Sequence, residues 1–260
     1  MFSEKLLQKL KSAKSVVVLT GAGISAESGV PTFRGQEGLW KKFKPEELAT
    51  FDAFIRNPEL VWEWYNYRRK LIQDVKPNPG HYALVELENL FPNFTLITQN
   101  VDNLHRRAGS RNVIELHGNI EKNYCIKCGK RYDDVNLALE MKVPKCECGG
   151  LIRPDVVWFG EMLPVEAWEK AEESASNCDV FFSIGTSGVV YPAASLPQIA
   201  KMNGAYTVEI NIERTDLSWF MDEVIIGKSG EVLPKLVERL KEPSVGALFF
   251  VFIVIIFTQI

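Results

Sequence analysis

Apolar and polar positions follow two alternating rhythms along the chain. Short apolar runs of strand length occur at Val16–Leu19, Thr95–Thr98, Val113–Glu115, Val156–Trp158, Val180–Ile184, Ala205–Ile210 and Glu223–Ile226. Most lack a polar face, as expected of strands covered on both sides. Between them lie stretches with helical spacing: Glu46–Ile55, Pro58–Val75, His81–Leu90, Asn103–Ala108, Val165–Asn177, Ala193–Met202 and Val232–Lys241. An N-terminal amphipathic helix carries Phe2, Leu6, Leu7 and Leu10 on one side. This alternation predicts an α/β fold, a Rossmann-like doubly wound parallel sheet. Two stretches break the rhythm. Residues 31–79 form a mostly helical excursion, and 121–153 hold four cysteines with little apolar periodicity. Neither has the composition of a linker, so both read as insertions on a sheet built from 1–30, 80–120 and 154–242.

Composition narrows the class. The chain has 260 residues and a net charge of -3, so nothing global draws it to nucleic acid or to an anionic membrane. The N-terminal stretch mixes acidic and basic residues and has no apolar signal core. A cytoplasmic protein is expected. Ala247 to Phe257 is an unbroken apolar run inside the tail 243–260. It is far shorter than the ~20 residues a membrane-crossing helix needs, so no membrane span is expected. Three readings are open for it: a segment packed on the body, a membrane-touching tail, or an extension foreign to a fold that closes near Glu242.

The run Thr20 to Gly35, TGAGISAESGVPTFRG, follows a strand and contains Gly21-x-Gly23-x-x-Ala26. That spacing suits a tight turn pressed against a pyrophosphate at a helix N-terminus. No strand ending in an acidic residue follows ~20 positions on, where a dehydrogenase holds its ribose. A dinucleotide is expected, but not hydride transfer.

Cys125-x-x-Cys128 and Cys146-x-Cys148 are paired thiols at turn spacing. Two such knuckles can close a tetrahedron around zinc, and an all-sulfur set leaves no open position, so the ion is structural. Cys178 reads as a small core residue.

Thr98-Gln99-Asn100-Val101-Asp102 and His117 emerge from the ends of two apolar runs, where open α/β sheets bind ligands. An imidazole there can act as a general base near neutral pH. His81 and His105 read as structural or solvated.

These segments, with LHG, VVWFGE and GTS, together resemble the sirtuin family of NAD-dependent protein-lysine deacylases. The similarity runs from Ser3 to Glu242, and its look is of the prokaryotic branch that includes desuccinylase-like members. The resemblance implies a Rossmann-like NAD domain, a zinc module at 121–153, and a cofactor loop with helical insertion at 31–79. It implies that Gly21, Ala22, Gly23 and Ser25 meet the cofactor's pyrophosphate side, with Phe33 and Arg34 in the cofactor loop. Gln99, Asn100, Val101 and Asp102 line the nicotinamide and ribose pocket, and Asn100 and Asp102 join His117, the general base, in the catalytic set. Gly185, Thr186, Ser187, Asn211, Glu213 and Ser229 fall on the adenosine side. The implied reaction yields nicotinamide, free lysine and O-acyl-ADP-ribose. An acyl-lysine peptide is implied to bind as an added strand between Val156–Glu161 and Gly188–Val190, touching Val157, Phe159, Gly160 and Val190.

Tyr65 and Arg68 lie three apart on one predicted helix and share a face. Guanidinium matches a carboxylate with two parallel hydrogen bonds, which suits succinyl or malonyl groups. Desuccinylase-like relatives carry Tyr-x-x-Arg at this place, so removal of succinyl and malonyl as well as acetyl is expected. Mono-ADP-ribosyl transfer from the same NAD site is the alternative.

Overall fold

The computed structural model describes residues 1–33, 39, 44–134 and 142–242. Arg34 and the tail 243–260 lie outside the described residues.

Six strands form one parallel sheet: β1 (Ser15–Thr20), β2 (Asn93–Thr98), β3 (Val113–Glu115), β7 (Val180–Ile184), β8 (Tyr206–Asn211) and β9 (Glu223–Ile226), in the order β3-β2-β1-β7-β8-β9. The expected doubly wound sheet is therefore present. Side chains of β1 alternate between its two faces. Val16 and Val18 pack with Leu6, Leu84, Leu87, Leu233 and Leu236 from the helices Glu4–Ser12, Pro79–Leu90 and Ser229–Lys241. Val17 and Leu19 face Ala171, Ala175, Leu196 and Ala200 from Val165–Ser176 and Leu196–Met202. Burial on both faces explains why these strands are apolar throughout. The strand order reverses between β1 and β7, and at such a switch point a crevice opens beyond the strand ends.

A second, antiparallel sheet has the order β5-β4-β6, from β4 (Gly118–Cys125), β5 (Arg131–Tyr132) and β6 (Ile152–Val156). The strand expected at Val156–Trp158 lies earlier and belongs to this sheet. Arg153-Pro154-Asp155 hides it as a pattern, and Pro154 is tolerated because β6 is an edge strand.

The excursion after the glycine loop is clamped to this small sheet. Phe54, Val61, Trp62 and Tyr65 pack with Ile120, Ile152 and Trp158. The Asn57 side chain accepts from Leu60 N at 3.2 Å and Pro58 opens the helix Pro58–Gln73, a start signal that fixes where Tyr65 and Arg68 point. The helix expected at Glu46–Ile55 is two, Pro45–Leu48 and Phe51–Arg56. The break comes at Thr50, whose side chain caps the second by accepting from Ala53 N. Among the described residues no helix is long and apolar enough to cross a membrane.

Candidate functional site

A cavity of about 780 Å³ opens at the switch point, between the C-terminal ends of the parallel strands and the small sheet. Its floor is two interlocked turns. Gly21 N donates to Ile184 O at 3.0 Å and Gly23 N to Gly185 O at 2.8 Å. A Cβ on Gly21 would lie 2.8 Å from the Gly185 oxygen, and one on Gly23 2.7 Å from Gly185. The glycines are thus demanded by turn-on-turn contact, before any ligand is considered. The helix that follows, Gly23–Ala26, is only four residues long, so the helix terminus expected beneath a pyrophosphate reduces to one turn.

Gln99, Asn100 and Val101 line the wall beside this floor. The Gln99 side-chain amide donates to Thr186 Oγ1 at 3.0 Å, and Asn211 Nδ2 donates to Thr186 O at 2.9 Å. Asn100 Nδ2 donates to Gly21 O at 3.0 Å and to Ser25 Oγ at 3.2 Å. Three strand ends are thereby tied into one rim with Ala22, Gly185, Thr186, Ser187 and Glu213. Ser25 and Asp102 are buried behind the wall. Burial raises the Asp102 pKa, against hydrogen bonds from Leu104 N and Ser25 and the attraction of Arg68. Ser229 stands apart from the cavity wall and donates to Glu27 Oε1 at 3.2 Å.

His117 lines the cavity. Its Nδ1 lies 2.9 Å from the carbonyl oxygen of Gln99, which can only accept, so Nδ1 carries the proton and Nε2 is left basic. Burial lowers its pKa, opposed by that hydrogen bond, so the ring is neutral at pH 7.

Tyr65, Arg68 and Phe33 line the same cavity, with Val156 to Glu161 and Val190. The Arg68 guanidinium carbon stands 4.9 Å from the centre of the Phe33 ring. Arg68 is buried, and its pKa is lowered by desolvation.

Away from the cavity, the sulfurs of Cys125, Cys128, Cys146 and Cys148 all lie within 4.8 Å of one another. Four thiolates at that spacing fit tetrahedral zinc and leave no place for a water ligand. Tyr132 donates to Cys146 Sγ at 3.1 Å, the largest of the influences that hold that thiol at about 6. Lys127 N lies 3.4 Å from Cys125 Sγ. These donors favour thiolates, the form that binds metal. Cys178 is buried, as expected of a core residue.

Residues 21–192 match the profile of the Sir2 family. The chain is 57% identical over 229 residues to an NAD-dependent protein deacylase of Aquifex aeolicus, covering 88% of this chain and 96% of that one. The chain belongs to the Sir2 family. A mutant Sir2 homologue bound to 2'-O-acetyl ADP ribose superposes with a TM-score of 0.86 at 47% identity, covering 92% of this chain and 97% of that one. A Sir2–p53 peptide–NAD+ complex superposes at 0.83 and 36% identity, covering 92% and 98%.

Two parts of this Sir2-family site escape a sequence reading. His81 and His105 are both buried, which corrects any solvated reading, with ring centres 4.9 Å apart. His105 Nε2 lies 2.9 Å from Thr20 Oγ1, whose neighbour Thr98 Oγ1 accepts from Asn100 N. The pair therefore underpins the wall. Nothing local signals this: His81 follows Pro79-Gly80 at a helix start and His105 sits in a short polar helix. The second is Arg153, buried on β6. It donates to Glu161 and to Val156 O and stacks 3.3 Å from the centre of the Trp158 ring. A lone arginine in a polar run gives no such signal.

Proposed function

We propose that this chain is an NAD-dependent protein-lysine deacylase that removes succinyl and malonyl as well as acetyl groups. The observation that carries the acyl preference is Arg68. It is buried beside Tyr65 in the cavity that also holds His117; the carboxylate that attracts it, Asp102, is buried behind the wall and makes no ion pair with it. A buried guanidinium without a directly paired carboxylate is costly, and a carboxylate on the acyl group supplies that direct pair.

The interlocked glycine turns and the amide-lined rim fit a dinucleotide: they let backbone approach closely and offer fixed polar groups at three strand ends. When bound, NAD would supply an electrophilic ribose carbon for the acyl oxygen of the lysine amide, with nicotinamide as the leaving group. His117 Nε2 takes a proton from a ribose hydroxyl, which the Gln99 hydrogen bond permits by holding the other nitrogen protonated. Asn100 has both amide protons committed to Gly21 O and Ser25, so its side-chain oxygen is the group it offers. Phe33 and Trp158 help to exclude water. Asp102 acts from behind, through Ser25.

The peptide lies along Val156–Glu161. The N–H groups of Val157, Trp158 and Phe159 are spent within the fold, on His117 O, Glu161 Oε2 and Ala49 O. An added strand therefore pairs with this segment mainly through its carbonyls, which leaves side-chain choice broad.

Mass spectrometry of reactions with NAD and matched acetyl-, malonyl- and succinyl-lysine peptides tests the reading. Acyl-ADP-ribose and free lysine from the succinyl peptide are expected. Nicotinamide release with ADP-ribose left on protein would instead make the chain a mono-ADP-ribosyltransferase.

A further inference from the structure

The hydroxyl of Tyr65 is not free to point either way. Trp158 Nε1 lies 2.8 Å from it, and both residues are buried. An indole nitrogen can only donate, so the tyrosine oxygen accepts in this contact and its own proton points elsewhere. Arg68, the largest charged influence on the hydroxyl, has its guanidinium carbon 5.7 Å from the Tyr65 ring centre and has no lone pair to accept that proton. Among the described residues no hydrogen bond takes that proton, Glu161 being engaged by Arg153 and Trp158 N, and Tyr65 lines the cavity.

Trp158 is itself held from two sides. Its backbone N donates to Glu161 Oε2 at 2.7 Å. Its ring carries the Arg153 guanidinium, which donates to the same carboxylate and to Val156 O. One buried charge thus fixes the bend of segment 156–161 and the plane of the indole together. Phe54 closes the indole from another side, with ring centres 5.3 Å apart.

We infer that Trp158 is a positioning residue for acyl specificity: it forces the Tyr65 hydroxyl to act as a donor into the cavity, toward a carboxylate-bearing acyl group. This rests on the carboxylate-reading assignment of Arg68 and deepens it. A phenylalanine at 158 keeps an aromatic face for Arg153 but has no N–H. The tyrosine proton is then free to turn away, and the carboxylate loses an oriented partner. An acetyl group makes no such contact, so the effect falls on the ratio between substrates.

The experiment compares kcat and KM on matched succinyl- and acetyl-lysine peptides for Trp158→Phe, Tyr65→Phe, their double variant and Arg68→Met. For Trp158→Phe the succinyl-to-acetyl ratio of kcat/KM is expected to fall about 5-fold, mainly through succinyl KM, the size expected for one hydrogen bond to a charged group made less well oriented. The double variant is expected to show no further fall beyond Tyr65→Phe alone, because both changes remove one interaction. Losses that multiply, or an unchanged ratio in Trp158→Phe, overturn the inference while a selective Arg68→Met leaves the carboxylate reading standing. An unselective Arg68→Met overturns both. If Trp158→Phe does not fold, β-(3-benzothienyl)alanine placed at 158 keeps the indole outline, lacks the N–H, and carries the same expectations.

Discussion

The imidazole of His117 donates from Nδ1 to the backbone carbonyl of Gln99 at 2.9 Å. One strand end therefore selects the tautomer of a side chain delivered by the next. The other ring nitrogen, Nε2, is left without a proton, and burial lowers the pKa of the ring, which lines the cavity.

His117→Ala is expected to cut kcat on any acyl peptide by about 10²- to 10⁴-fold, the usual worth of a positioned general base, with the melting temperature little changed. Steady-state kinetics beside a thermal melt check this. Near-normal turnover removes the assignment.

The acid limb of the pH–rate profile follows from the same burial. A lowered pKa means that the base is lost only when pH falls below the ordinary histidine value of about 6.5. The kcat/KM profile should therefore stay flat through pH 7 and bend downward below 6.5. A bend above pH 7 contradicts the assignment.

Arg68→Met should lower kcat/KM for succinyl and malonyl peptides by about 10- to 100-fold, the cost of losing a charged hydrogen-bonding partner, and spare acetyl peptides by comparison. Equal loss on all three acyl groups would show that Arg68 serves the fold rather than the substrate.

Stability should fall on acidification through the buried histidine pair. Burial takes the His81 pKa to about 4 and His105 well below its ordinary value. The unfolded chain binds protons from about pH 6.5 downward, and the folded chain does not until near 4. Stability is therefore intact above 6.5 and drains away between 6.5 and 4, by about 3 kcal/mol for His81 alone. Denaturant melts across that range measure it, and His81→Asn should flatten the slope.

Zinc removal should unfold the small sheet. Cys128→Ser, or a strong chelator, is expected to lower the melting temperature and abolish activity, with zinc content read by mass spectrometry. Full activity in a zinc-free preparation would contradict a structural ion.

The parallel sheet was legible because its strands are buried on both faces, so Val16–Leu19 and Val180–Ile184 read as apolar runs whatever their partners. The small sheet was not, because β4 carries Asn119, Glu121, Lys122 and Asn123 and β6 carries Arg153 and Pro154. Their polarity is satisfied across space: Arg69, from the helix Pro58–Gln73, donates to Ile120 O and Asn123 Oδ1. The cavity's rim was visible because its residues follow strand ends. Its supports were not. Arg153 and the two buried histidines act on the rim from positions that no local pattern singles out. Ser229, placed on the adenosine side by resemblance, has its hydroxyl and the next backbone N–H bound to Glu27 at the start of its helix.

The locked turns at Gly21, Gly23 and Gly185 carry a consequence for redesign. A floor braced against itself needs little ordering when a nucleotide arrives, and it offers no slack for new side chains. New side chains fit more readily at the outer lip of the cavity, where Glu213 is exposed, than at Asn211, whose amide is already tied to Thr186.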